Sequence, residues 1–97
     1  MKLFERERGE GRTKVLMSLQ HIGKDLVVCF YNDNGHVGAV AVGEYDTTSR
    51  RATTSVITRR GHKDDMMAQR AAYALAKSTM KPVCVVAGIH VDNITNA

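Results

Sequence analysis

Between residues 12 and 20 the chain alternates, with Val15, Met17 and Leu19 apolar and Lys14, Ser18 and Gln20 polar. That period of two predicts a half-buried strand, blurred only by Leu16. His21-Ile22-Gly23-Lys24 supplies its turn. The next segment, 25–31, is apolar on both parities, the pattern of a central strand. Asn32-Asp33-Asn34-Gly35 then gives a strong turn signal, so the first two strands form a meander. A third strand over 36–44 is rich in small residues, Gly38, Ala39, Ala41 and Gly43, which let a backbone, a helix or a ligand approach closely. After a polar connection over 45–51, the Thr- and Ser-containing stretch 52–58 suits a fourth strand with one exposed face, and Gly61 ends it.

From residue 63 to about 79 the period becomes helical. Met67, Ala68, Ala71, Ala74, Leu75 and Ser78 share a stripe, which reads as core packing, while Arg70, Tyr73 and Lys77 lie elsewhere. Asp64 and Asp65 in the first turn and Lys77 and Lys81 near the end complement the helix dipole, and Pro82 forbids continuation. Residues 83–87 form a short apolar fifth strand. Four strands, one helix and a last strand predict an α+β fold of two layers, a mostly antiparallel five-stranded sheet in the order ββββαβ with one main helix packed on one face. The charge-dense stretch 1–11 buries almost nothing on this reading and is expected as a flexible N-terminal segment, leaving 12–97 as a single domain.

A chain of 97 residues has room for one core and little more, so self-association into a dimer is the ordinary way for it to bury further surface. No apolar run approaches a membrane span, and the charged N-terminal stretch lacks the apolar centre of a signal peptide, so a cytoplasmic location is expected. Cys29 and Cys84 each lie in an apolar strand without the close pairing of a zinc or redox motif, and are expected as buried reduced thiols. The net charge of +4 owes much to Arg50-Arg51 and Arg59-Arg60. With aromatic residues at 5% and no Trp, no stacking platform accompanies it, which speaks against nucleic acid and leaves a small anion as an equal explanation.

Three glycine-histidine clusters fall at element edges: Gly35-His36-Val37-Gly38, Gly61-His62-Lys63-Asp64-Asp65 and Gly88-Ile89-His90-Val91-Asp92-Asn93. Polar groups can converge at such edges without disturbing the core, and glycine lets a ligand touch backbone. The second cluster suits an anion, because a helix N-terminus offers free N–H groups beside Lys63 and Arg59 or Arg60. Asp64 and Asp65 already neutralise part of that field, so a plain helix start is the competing reading. His36, His62 and His90 with Asp92 contain the ligand types for zinc or iron, but no two histidines stand at i, i+4 and no Cys joins them. Asp64, Asp65, Asp92 and Glu44 are available as acids or bases, yet no nucleophile elbow or phosphate-binding loop is present. Asp92-Asn93 before Thr95 also reads as a turn and N-cap.

Taken together, Ser55-Val56-Ile57, Gly61-His62-Lys63-Asp64-Asp65, the alanine-rich helix, the run from Val85 to Thr95 and His36-Val37-Gly38-Ala39-Val40-Ala41 resemble the LpdD-like family of prenylated-flavin chaperones over about residues 12–95. The resemblance implies a fold of the proteasome-assembly-chaperone type. It also implies a homodimeric, non-catalytic accessory protein that binds prenylated FMN, or FMN, and serves a UbiD-type aromatic acid decarboxylase as partner, with a flavin prenyltransferase upstream. Carried onto matching positions, the cofactor contacts would be His36, Gly38, His62, Lys63, Asp64, His90, Asp92 and Asn93. Lys63 and the helix amides would hold phosphate, Asn93 and the histidines the polar edge of the flavin, and Gly38 and Ala39 would make room. Relatives usually continue past Ile94-Thr95 into a C-terminal helix, and this sequence departs from them there. Two other functions remain open at this point: a metal-dependent enzyme built on His36, His62, His90 and Asp92, and an assembly chaperone with no small ligand.

Overall fold

A computed structural model describes residues 3–9, 14–32, 35–59 and 64–89. Its elements are β1 (Leu3–Arg8), β2 (Val15–Ile22), β3 (Asp25–Tyr31), β4 (Ala39–Asp46), β5 (Arg51–Thr58), α1 (Asp65–Thr79) and β6 (Val83–Gly88). They form a six-stranded sheet in the order β1-β2-β3-β6-β4-β5. Every neighbouring pair is antiparallel except β3 with β6, which is parallel. The architecture is thus α+β and mostly antiparallel, with one helix on one face of the sheet.

The sheet has one strand more than the sequence pattern predicts. Residues 1–11, expected as a flexible lead, contain β1, which pairs with β2 from Leu3↔Gln20 to Arg8↔Val15. An edge strand needs backbone partners on one side only and tolerates charged residues, so Leu-Phe-Glu-Arg-Glu-Arg carries no apolar alternation to betray it. All five expected strands are present within a few residues of their predicted ends.

Side-chain parity sets the two faces of the sheet. Leu26 and Val28 of β3, Ala39 and Ala41 of β4, and Val83, Val85 and Ala87 of β6 are buried with Ala68, Ala72 and Ala76 of α1. Met17, Leu19, Phe30, Val56, Met67, Ala71 and Leu75 pack around them. The buried line on α1 runs at i, i+4 through three alanines, whereas Ala74 and Ser78, expected in the stripe, are exposed. An all-alanine ridge brings the helix axis close to the sheet, and the sheet is shaped to receive it. A Cβ at Gly43 would collide with the Ala72 carbonyl, so the small residues of β4 serve the approach of α1. Among the described residues the largest fully buried side chains are all valines, Val28, Val83 and Val85, so this core is thin.

The helix ends where its chemistry requires. Thr79 Oγ1 donates to the Leu75 carbonyl at 2.6 Å, Met80 turns left-handed with its N–H on the Ala76 carbonyl at 2.8 Å, and Pro82 follows. Gln69 Nε2 donates to Thr54 Oγ1 at 3.2 Å and pins α1 to β5. The β4–β5 turn rests on Asp46, whose Oδ1 accepts the Thr48 N–H at 2.9 Å and whose carbonyl accepts the Arg50 N–H at 2.8 Å. The Thr48 amide, and then the Ser49 hydroxyl, hold the Asp46 carboxyl below its ordinary range.

Two outcomes follow. Gly43→Val, which forces a side chain into the α1 backbone, should destabilise the protein by about 2 kcal/mol in denaturant unfolding. A depressed carboxylate contributes stability above its unfolded pKa and loses it as pH falls through the folded value. The Tm gap between wild type and Asp46→Ala should therefore be widest near neutrality and close as the solution is acidified through the carboxylate range.

Candidate functional site

The parallel pairing of β3 with β6 points both C-terminal ends the same way, Tyr31 opposite Gly88. The C-terminal end of β5 and the N-terminal ends of β4 and α1 lie at that same end, because Ala39 pairs with both Ala87 and Thr58. In α/β arrangements the edge beyond the carboxyl ends of parallel strands, beside a helix N-terminus, is where ligands gather.

Backbone approaches backbone very closely here. Gly38 N–H donates to the Ala87 carbonyl at 2.9 Å, and Gly35 N–H donates to the Asn32 carbonyl at 2.8 Å. A Cβ on Gly88 would strike the His36 carbonyl, and one on Gly35 would strike the Gly88 carbonyl. One on Gly38 would meet the Asp64 carboxylate. Asn32, Gly35, His36, Gly38, Asp64 and Gly88 therefore form one corner, drawn from β3, β4, β6 and the start of α1.

Arg59 ties the corner to β5. Its backbone N–H donates to the Gly38 carbonyl at 2.8 Å, and its Nη1 donates to the Val37 carbonyl at 2.8 Å. Part of the guanidinium is thus engaged in holding the segment before β4. Asp64 occupies the N-cap position of α1 without a side-chain capping bond, leaving the first-turn amides untouched by its carboxylate.

Of the sequence-predicted contacts, His36, Gly38 and Asp64 meet at this corner. His62, Lys63, His90, Asp92 and Asn93 lie outside the described residues. The space above Gly38 is taken by Asp64, and Ala39 is buried under α1, so within the described chain their small size serves helix packing. Asn32 is a corner residue that the sequence reading passed over as part of a turn. It is buried, and among the described residues no buried side-chain nitrogen or oxygen lacks a hydrogen-bond partner. A polar residue closing a strand that is apolar on both parities was the available signal.

The thiols differ from expectation. Cys29 and Cys84 are free, but they are half-buried on the sheet face away from α1, because their parity is opposite to that of Val28 and Val85. Burial, and secondarily Cys29, pushes the Cys84 thiol above its ordinary pKa. Among the described residues no group of three His, Cys, Asp or Glu side chains is arranged to hold a metal ion, and no helix is long and apolar enough to cross a membrane.

The corner's construction predicts a ranking. Gly88→Ala confronts rigid backbone and should cost ~2 kcal/mol or more in chemical denaturation. Gly38→Ala confronts chiefly a movable carboxylate and should cost less. Combining it with Asp64→Ala should recover part of that loss in a double-mutant cycle.

Comparison with known proteins follows the same lines. The model of a family described as the prenylated flavin chaperone LpdD-like domain matches residues 9–97, all of the chain after β1. No curated protein matches. Among solved structures, a chain of a chaperone complex for yeast 20S proteasome assembly is similar at 12% identity and a TM-score of 0.60, over 96% of this chain and 80% of that one. At that identity the likeness is one of fold.

Proposed function

The chain belongs to the prenylated flavin chaperone LpdD-like family, and from that premise we propose that it is a non-catalytic carrier of prenylated FMN serving a UbiD-type decarboxylase. The observation that carries the reading is the corner at the carboxyl ends of β3 and β6. There an α1 N-terminus without a side-chain cap stands at the rim of a corner whose glycines bring backbone and Asp64 close together. Uncapped first-turn amides are suitable donors for a terminal phosphate, and Lys63, adjacent in sequence to Asp64, would add the positive charge.

His36, Gly38 and Asp64 are the described residues we assign to the ligand. His62, Lys63, His90, Asp92 and Asn93 are assigned from the sequence. The flavin supplies redox and cycloaddition chemistry to the decarboxylase that finally holds it, while this chain's task is to bind, shield and release. A phosphate near Asp64 and Asp65 is held less tightly than one at a purely cationic site, which suits a protein that must hand its cargo on. Nothing among the described residues favours a metal-dependent enzyme.

The test is native mass spectrometry of the chain co-produced with a flavin prenyltransferase. Wild type should retain the mass of prenylated FMN, and Lys63→Ala and His90→Ala should lose most of it. A ligand-free wild-type protein under saturating cofactor would overturn the reading and favour an assembly chaperone that works through protein surfaces alone.

A further inference from the structure

The sheet has two edges, β1 and β5, and they are built differently. β1 carries Glu5, Arg6, Glu7 and Arg8, the charge density that keeps an open edge from pairing with another chain. β5 from Ala52 to Thr58 carries neither charge nor proline, only Ala, Thr, Ser, Val and Ile, a composition that favours strand pairing. Among the described residues β4 is its only strand neighbour. The Arg59 N–H donates to the Gly38 carbonyl, and these two residues continue the Ala39↔Thr58 register, so the odd-numbered residues of β5 turn their backbone groups toward β4. Those of Ala52, Thr54, Val56 and Thr58 therefore face outward, a row of donors and acceptors along the open edge.

Helix α1 forms a ledge above this edge. It packs against β5 and is fixed there by Gln69, which donates to Thr54. Met66 and Tyr73 stand three residues before and four after Gln69, and Met80 a further seven on, so all lie on the flank of the helix that faces the β5 edge. All three are exposed, Met66 at 58%, Tyr73 at 43% and Met80 at 62%. On the opposite face of the sheet Ile57, at the same edge, is 75% exposed. Unpaired backbone is thus bordered by apolar side chains above and below.

Basic residues frame the edge. Arg50 and Arg51 are exposed at one end of β5 and Arg59 at the other. Lys77 joins them from α1, its Nζ 5.7 Å from the centroid of the Tyr73 ring. The carboxylate opposite Arg51 in the register, that of Asp46, is turned to the Thr48 N–H and the Ser49 hydroxyl.

We propose that the β5 edge is a docking site for an extended segment of a partner protein, apolar at its centre and acidic at both ends, which adds to the sheet as a strand. Charge selects this occupant over a second copy of the chain. Paired with itself antiparallel, β5 sets Arg50 and Arg51 against Arg59 at both ends; paired parallel, it sets like arginines side by side. An acidic segment meets opposite charge at those positions. Its main chain bonds the outward groups of β5, while its alternate side chains rest on Ile57 and on the Met66 and Tyr73 ledge. The site is independent of the flavin reading.

The probe is a fluorescein-labelled peptide, Asp-Glu-Val-Thr-Val-Thr-Val-Glu-Asp, followed by fluorescence anisotropy beside the same peptide with lysine at every acidic position. Wild type should bind the acidic peptide saturably, more weakly as salt is raised, and should not bind the lysine peptide. Thr54→Pro removes an outward N–H while leaving the ladder to β4 whole, and should abolish binding with the circular dichroism spectrum unchanged. Arg50→Glu combined with Arg51→Glu, both on the surface, should weaken the acidic peptide by about tenfold and admit the lysine peptide, which keeps the test decisive even where the proline variant unfolds. In hydrogen exchange the amides of Thr54, Val56 and Thr58 should be open in the free protein and protected by the acidic peptide. Protection in the free protein, whether by a second copy or by the chain's own residues, would overturn the proposal. So would equal binding of the two peptides, or no binding of the acidic one. None of these readouts involves flavin, so the flavin reading stands or falls separately.

Discussion

The parallel pairing of β3 with β6 is the constraint on which the rest of the molecule depends. β6 is the last strand made, yet it enters the sheet between β3 and β4, strands that follow one another in sequence. Until it arrives, the meander β1-β2-β3 and the hairpin β4-β5 share no strand pairing. Closing that gap requires α1 to run from the end of β5 back to the start of β6, which lays the helix across β4, β5 and β6. It also aligns the carboxyl ends of β3 and β6 with the start of α1. One non-local pairing therefore builds the core and the corner together, and its loop-closure cost makes it the natural late step of folding.

The sequence foreshadows this only in part. The 3.6-residue period of α1, its dipole-matched charges and Pro82 locate the helix well, and the two-sided apolarity of 25–31 correctly places β3 away from an edge. Hydrophobic period cannot reveal β1, because an edge strand is held by backbone bonds and carries Glu and Arg as readily as Val. Nor can it choose among alanines. Ala74 and Ala72 are equal candidates on a helical wheel, and only the approach of α1 to Gly43 decides that 68, 72 and 76 face the sheet.

The candidate site was legible as composition more than as geometry. Glycine beside histidine at three element edges marks where backbone must pass close to something, and for Gly35, Gly38 and Gly88 that something proves to be other backbone or Asp64. The same glycines that suggested space for a ligand are thus consumed in bringing four elements to one point. What remains for a ligand is the rim they create: the uncapped amides of α1 and the residues adjoining it. Asn32 lies within Asn-Asp-Asn-Gly, which reads as a turn, although the residue is buried and belongs to the corner.

The two faces of the sheet express different packing rules. Toward α1 the residues of β4 are small, Ala39, Ala41 and Gly43, because a helix backbone must come close and alanine against alanine allows it. Away from α1 they are Val, Cys, Tyr and Ile, the β-branched and bulky types whose area is worth most when another flat sheet removes it from water. A chain that needed only one covered face would place polar residues at every second position of β3 and β6, as antiparallel sheets with a wet face do. Asp25 and Gln20 show that polar residues are tolerated at the margins of this face. Their absence from its centre leaves an apolar face that no element among the described residues covers.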